Sequence, residues 1–529
     1  MPSTPARRPT LPLIAGVLLL CLALLGGCAA LPPRGQTDTS QALPDDGQTM
    51  LARVAAASLQ ADARGRSGFR LLPTGEFAFG ARLALARHAE RSVDVQVYHL
   101  HHDQAGRALL RELRDAAARG VRVRLLVDDF HAAEVAPLLA DLASHRGVQV
   151  RLFNPLPLRQ GAPLLRLMLS AGAFAHHNHR MHNKLMLADG ALALYGGRNV
   201  ADEYFMGNQE TNFIDLDVLS AGAVVPTLAA VFDRYWNSEA AWPMQALLPQ
   251  TADAVAAQAR FQAAVADAAP AMPAYTLDPL GQTAVEVQLQ AGRLALVSAT
   301  ARVFADPPEK ALQDHIGGAP TAAMAGLLGV IGSARQEVLI VSPYFVPGTV
   351  GMPMMAAAAR ASVRTRLLTN SLATTDEPLV HHHYSLYRPA MLRLGVQILE
   401  LSPEAVQRSR SFGAFGRSTP RLHAKVALVD DRHLLVGSVN LDARSAIGNT
   451  ELGVAIDSPV LAGQFIRLMT GEREGGAYRV VLQDDGQTLA WQWLDAQGRR
   501  TSTTDEPGGS AWLRLKLWLQ ALVVDERLL

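Results

Sequence analysis

The chain has 529 residues, 49% of them hydrophobic and 18% charged, which is enough for two domains, each with its own core. Its net charge is +1. That balance argues against a dedicated nucleic-acid binder, which normally carries a basic excess or stripe, so no nucleic-acid partner is expected.

Both cysteines lie near the N-terminus. Arg7 and Arg8 precede an apolar run, Leu13 to Leu25, that ends in Leu25-Gly26-Gly27-Cys28. A basic start, an apolar segment and small residues before a cut describe an export signal. The last four residues resemble a bacterial lipobox. That resemblance implies a signal peptide over residues 1–27, Cys28 as the lipidated first residue of the mature protein, and a membrane-anchored protein facing the periplasm. Ala29 favours the outer membrane over the inner. An uncleaved anchor over Leu11 to Ala30 is the alternative, and either one tethers the body to a membrane. Residues 28–49 are rich in Pro, Gly, Asp and Thr without apolar periodicity and read as a flexible tether.

The folded part begins with a helix over Met50 to Asp62. Ser92 to Tyr98 alternates like a strand, Gln104 to Arg119 has helical spacing and stops at Gly120, and Val121 to Val127 reads as a buried strand. A helix over Ala133 to Arg146 and a strand over Val148 to Phe153 follow, and Asp189-Gly190 turns a hairpin between Lys184 and Tyr195. After an Ala-rich helix, about Ala252 to Ala269, the order repeats. Glu337 to Val341, Val363 to Thr369 and Val396 to Leu399 are strands separated by helices, and Arg421 to Val436 matches the first hairpin. This is an α/β chain of two similar domains, each a mostly parallel sheet flanked by helices, packed around one site. The boundaries are 50–250 for the first domain, 251–295 for a helical connector, 296–470 for the second, and 471–529 for a hairpin and an amphipathic helix.

The hairpins carry a repeat. His182, Lys184, Asp189, Gly196, Asn199, Asn208 and Glu210 recur as His423, Lys425, Asp430, Gly437, Asn440, Asn449 and Glu451, at a constant offset of 241 (423 less 182). A shared fold explains recurring leucines and glycines but not recurring His, Lys, Asn and Glu, so the copies read as two half-sites that meet. A catalyst for a phosphodiester must offer a nucleophile, neutralise phosphoryl oxygens and protonate the leaving alcohol. Imidazole can attack phosphorus and, on a second ring, act as general acid. Lys184 and Lys425 lie two residues from their histidines, hence on the same strand face. Asn199, Asn440 and the Ser438 hydroxyl can donate to charge building on oxygen, with Gly197 at the place of Ser438 in the first copy. Glu210 and Glu451 can hold an imidazole N–H, each for its own half's histidine or for the opposite one. No metal and no cofactor are required.

The motifs His182-x-Lys184-x4-Asp189 and His423-x-Lys425-x4-Asp430 resemble the paired HKD motifs of the phospholipase D superfamily. Arg180 to Lys184, Gly196 to Asn199, Asp202 to Phe205, Phe232 to Asn237 and Thr369 to Ala373 are similar to the bacterial cardiolipin synthase C group. The resemblance implies a two-step displacement through a phosphatidyl-histidine, with His182 as nucleophile and His423 as acid and base, although near-symmetry permits the reverse. It also implies that Asp189 and Asp430 stabilise the site without touching phosphate. The implied substrates are phospholipids, with phosphatidylethanolamine as donor and phosphatidylglycerol as acceptor. Hydrolysis to phosphatidic acid is the alternative, followed by a nuclease or a non-catalytic lipid-binding protein.

Three further features bear on this. Inserts over Pro155 to Phe174 and Arg408 to Arg421 are candidates for a membrane-facing rim or a cover for the core. Ala511 to Val524 is either interfacial or docked on the body. The histidine clusters His176/His177/His179 and His381 to His383 lack the cysteine partners or carboxylate spacing of a metal site. No protein partner is readable.

Overall fold

The computed structural model describes residues 31–529 except 36, 60–64, 157–177, 249–252, 271, 274, 314–320, 409–414, 472–475, 496, 523, 525 and 527–529. The export signal, Cys28, most of the first insert, His176, His177 and part of the second insert therefore lie outside the described residues. Among the described residues no helix is long and apolar enough to cross a membrane.

The first half contains helix α1 (Met50–Ser58), strand β1 (Ser67–Leu72), helix α2 (Gly75–His88), strand β2 (Ser92–Val97), helix α3 (Gln104–Ala118), strand β3 (Arg122–Asp128), helix α4 (Ala136–Leu142) and strand β4 (Val148–Phe153). It continues through β5 (Leu185–Ala188), β6 (Leu192–Gly196), β7 (Thr211–Ile214), β8 (Asp217–Gly222), α5 (Val224–Trp236) and β9 (Ala241–Pro243). Helix α6 (Ala254–Val265) leads to the second half: β10 (Val297–Ala305), α7 (Ala322–Gly332), β11 (Glu337–Val341), α8 (Gly348–Arg360), β12 (Arg364–Asn370), α9 (Pro378–Arg393) and β13 (Gln397–Leu401). Then come β14 (Thr419–Leu422), β15 (Val426–Val429), β16 (His433–Gly437), β17 (Leu452–Asp457), α10 (Pro459–Gly471), β18 (Ala477–Leu482), β19 (Leu489–Leu494), β20 (Arg500–Thr503) and α11 (Ala511–Ala521).

Each half is a mixed sheet flanked by helices. Strands β2, β3 and β4 run parallel, as do β11, β12 and β13. Antiparallel β5 and β15 pair with β2 and β11, which brings each hairpin to the middle of its sheet. Strand β1 pairs with β10 and joins the two sheets edge to edge, while β18 to β20 extend the second sheet past β13. Three apolar cores result. One lies under the helices of the first half, one under those of the second, and a third holds residues of both halves, including Phe69, Phe153 and Trp236 from one and Leu422, Phe465 and Leu468 from the other. That shared core fixes the two hairpins against each other.

The local reasons are ordinary. Asp103 caps α3 by accepting from Gly106 N, and the helix closes where Gly120 takes φ +94°. The hairpin turns need left-handed backbone, supplied by Asp189-Gly190 at φ +53° and +67° and by Asp430-Asp431 at +52° and +50°. Helices α2 and α7 were not expected, because their alanine, glycine and apolar residues show little polar–apolar alternation. The tether reading is corrected for residues 31–49. Arg34 donates to Ser238 O at 2.7 Å, Ser40 N to Asn237 Oδ1 at 3.0 Å, and Ala42 N to Asp233, so this stretch is strapped across the first half. Its backbone groups find side-chain partners in place of water.

Candidate active site

The motif residues meet at the junction of the halves. His182 and His423 sit just before β5 and β15, and both are buried. His182 N donates to Thr450 O and His423 N to Ile214 O, so each motif is pinned by the opposite half. His182 Nδ1 lies 3.0 Å from Ser438 O and 3.0 Å from Glu451 Oε2. A carbonyl can only accept, so Nδ1 carries the proton and Nε2 is left for chemistry. His423 Nδ1 donates to Asp215 Oδ2 at 2.7 Å, with the same consequence. The charge of Lys425 is felt at His182 and that of Lys184 at His423, as expected of one shared pocket.

Glu210 is exposed and holds no histidine. The expectation that it orients an imidazole is corrected: Asp215 has that place. The strand register shows why. Gly196 pairs with Asp217 and Gly437 with Gly453, so the structural counterpart of Glu451 lies two residues before Asp217. The first half has five extra residues (217 less 212, where 212 is the gap-free counterpart of 453), and they contain β7, which pairs with β14 of the other half. The gap-free offset held only as far as Asn199. Ser438 and Gly197 follow the same logic. Ser438 Oγ donates to Glu451 Oε2, and so orients the carboxylate instead of waiting for phosphate. A Cβ at Gly197 would collide with Asp215 Oδ1, so the first half has no room for the serine.

Lys184 Nζ and Lys425 Nζ each donate to the carbonyl of their own histidine at 2.6 Å. Burial pushes both ammonium groups down, Lys425 to about 8, with Asp215 and Glu451 opposing. An anionic phosphate brought to these groups reverses that shift, so substrate binding and recharging of the lysines are coupled. Burial first, then Lys184 and Lys425, also drives the His182 imidazole far below its ordinary range. His423 is pushed down to about 4 by burial and Lys425, with Asp215 pulling it back. Glu451 is raised to about 6 by burial, against Lys184 and the Ser438 and Ser445 hydroxyls.

Asn199 Nδ2 donates to Tyr204 OH at 2.9 Å, and the Tyr204 ring lies 5.0 Å from that of His423. Tyr98 stands 5.1 Å from the His182 ring in the same edge-on way. Asn199 Oδ1 and Asn440 Oδ1 are buried with no hydrogen-bond partner among the described residues. Sequence reasoning missed Asp215 and Tyr98. An acid-Leu pair, Asp215-Leu216 against Glu451-Leu452, was the signal available for the first.

Asp189 and Asp430 stand away from the histidine rings. Asp189 Oδ1 accepts from Arg91 N at 2.8 Å and Ser92 N at 3.0 Å, and its Oδ2 accepts from Glu90 N at 3.0 Å; Asp430 does the same for Arg335, Gln336 and Glu337. Each tethers its hairpin turn to the start of the neighbouring central strand. Asp189→Ala is expected to destabilise the fold by about 3 kcal/mol, the cost of stranding three backbone donors, in denaturant unfolding. His179 Nδ1 donates to Gly448 O at 2.8 Å, and His381 pairs with Glu506 at 2.9 Å, so both serve structural contacts.

A pair of carboxylate-held imidazoles and a pair of lysines at the seam of two α/β lobes define an enzyme for phosphodiester transfer. The family described as "Cardiolipin synthase, PLD-like domain" matches residues 83–236 and 327–471. The chain belongs to this family, and so to the phospholipase D superfamily. Cardiolipin synthase C of Escherichia coli K12 is 35% identical over 473 residues, covering 88% of this chain and 97% of the relative. Cardiolipin synthase A of Pseudomonas syringae is 27% identical, covering 76% and 68%. Among solved structures, phosphatidylserine synthase of Haemophilus influenzae has the same fold, with a TM-score of 0.54 at 12% identity over 89% of this chain and 96% of that one. The protein is a phospholipase D-type phosphatidyltransferase or phosphodiesterase.

Proposed function

We propose that the protein forms cardiolipin by transferring a phosphatidyl group, with phosphatidylethanolamine as donor, to the headgroup hydroxyl of phosphatidylglycerol. The observation that carries this reading is the unequal pair of imidazoles, one beside Glu451 with its Nε2 free and the other held by an ionised Asp215. Asp215 opposes the depression of His423 by burial and Lys425, and favours a proton there once an anionic phosphate enters. The likeness to cardiolipin synthase C supports the choice of lipids. His182, its basicity depressed by burial and by Lys184 and Lys425, stays neutral, and its Nε2 lone pair attacks phosphorus. The phosphorus–oxygen bond to the headgroup breaks, and His423 Nε2–H gives its proton to the departing oxygen. Asp215, held ionised below the ordinary carboxylate range, supports the protonated His423. In the second step His423 takes the proton of the acceptor hydroxyl, the new oxygen–phosphorus bond forms, and the bond to His182 breaks.

Work at a lipid surface is part of this reading. Helix α11 buries Leu517 alone and exposes Trp512 at 73% and Leu522 at 66%, with Arg514 and Lys516 beside them. The helix docks on α9 through its buried Leu517, and the face it turns outward supports contact with a lipid surface in addition to that docking. Lipidation at Cys28, with the protein facing the periplasm from the outer membrane, belongs to the same proposal.

The test is to incubate the purified protein with vesicles of phosphatidylethanolamine and phosphatidylglycerol and to analyse the lipids. Cardiolipin and ethanolamine in equal amounts are expected. Phosphatidic acid would mean that water is the acceptor, and no more product than His182→Ala gives would sink the enzyme reading.

A further inference from the structure

A cavity of about 770 Å³ opens between α7 and α8 in the second half, well within the ~300–1,000 Å³ span of ligand sites. Leu328 and Ile331 of α7, Met354 and Ala358 of α8, Phe345 and Leu441 are among its lining residues. The sequence of both helices prepares it. Helix α7 is apolar on all sides: Ala323, Met324, Leu327 and Val330 go to the core, which leaves Leu328 and Ile331 as a second greasy face. Helix α8 puts only Met355 fully into the core and turns Met354 and Ala358 toward the same space.

The cavity comes near the reacting groups at Asp442, a lining residue whose carboxyl interacts electrostatically with Lys425 and Glu451. Leu441 follows Asn440 in the chain, and Phe345 follows Tyr344, whose ring centroid lies 5.9 Å from Lys425 Nζ. Phe345 and Leu441 are bridged through their backbones, so the cavity wall and the motif move together. The Asp442 carboxyl is pushed up to about 7 by burial against the Ser445 N–H, so near neutrality it is partly protonated. Val350, also in the lining, is 45% exposed, so the cavity reaches the surface there. Phosphate-handling groups near Asp442 and apolar walls along the rest describe the two parts of a phospholipid.

We propose that this cavity holds one fatty-acyl chain of the phosphatidyl donor, an inference that rests on the phosphatidyl-transfer reading. It makes α7 and α8 the elements that grade donors by chain length. Gly332 at the end of α7 lines the cavity, and a Cβ there would meet only Met354 Cε, at 3.6 Å, so the first atom of an added side chain meets no backbone of another element.

The experiment compares dioleoyl- with monomeric dihexanoyl-phosphatidylethanolamine in the parent, Gly332→Phe and the milder Ala358→Leu. The ratio of kcat/KM for long over short chains is expected to fall at least about tenfold in Gly332→Phe, as hydrophobic pockets discriminate. An unchanged ratio in folded variants overturns the proposal. A second readout needs no turnover: displacement of a fluorescent polyene fatty acid from the His182→Ala protein. Binding there that Gly332→Phe abolishes supports the cavity even if the parent makes no cardiolipin, which would fault the transfer reading alone. No binding of the probe overturns the cavity assignment while leaving the transfer reading intact.

Discussion

His182→Ala is expected to lower phosphatidyl transfer by at least about 10⁴-fold and to leave no covalent adduct, because it removes the atom that bonds to phosphorus. His423→Ala is expected to cost about 10²–10⁴-fold with the natural donor, the range for losing a general acid. The two variants separate with a donor whose leaving group needs no proton, a phosphatidyl ester of p-nitrophenol. His423→Ala should then release close to one nitrophenolate per protein in a burst and stall, because nothing activates the acceptor. Mass spectrometry of the stalled protein should find the phosphatidyl group on the peptide containing His182. An adduct on His423 in the His182→Ala protein would reverse the roles. The prediction rests on an asymmetry that the repeated motifs hide. His182 faces a backbone carbonyl and a Glu451 carboxyl raised to about 6, whereas His423 faces an ionised Asp215.

What the sequence made legible followed from period and composition. Val93, Val95, Leu125 and Val127 alternate or run in strands that the structure buries, and the Asp189-Gly190 turn required left-handed backbone that few other pairs supply. The His-Lys pairs were legible because two copies in register are improbable as surface decoration. What stayed hidden depended on partners distant in the chain. Nothing in the composition of residues 31–49 says that Asp233 and Asn237 accept their backbone donors. The cavity was hidden because α7 has no polar face from which an orientation could be inferred. Asp215 was hidden for a different reason. The Asn-x-Glu at Asn208 to Glu210 mimics the one at Asn449 to Glu451, and only strand pairing shows that five extra residues intervene.

That displaced register has a kinetic consequence. Asp215→Asn is expected to lower kcat/KM by about 10²–10⁴-fold, comparable to losing the general acid whose proton it sustains, while Glu210→Gln stays within about twofold, as an exposed group with no catalytic contact should. Sequence alignment without gaps predicts the opposite ranking. The pH profile separates orientation from charge. His423 must carry a proton to release the headgroup, so activity is lost as pH rises through its effective pKa. In the parent that pKa is depressed by burial and Lys425 and raised by the hydrogen bond and charge of Asp215. Removing the carboxylate's charge deletes the contributions that raise it, so the alkaline limb of log kcat/KM should move to lower pH in Asp215→Asn. Asp215→Glu keeps the charge and should restore the limb even where packing against Gly197 limits the rate. An alkaline limb that does not move, together with a full loss in Glu210→Gln, would show that the strand register assigns the wrong carboxylate to His423.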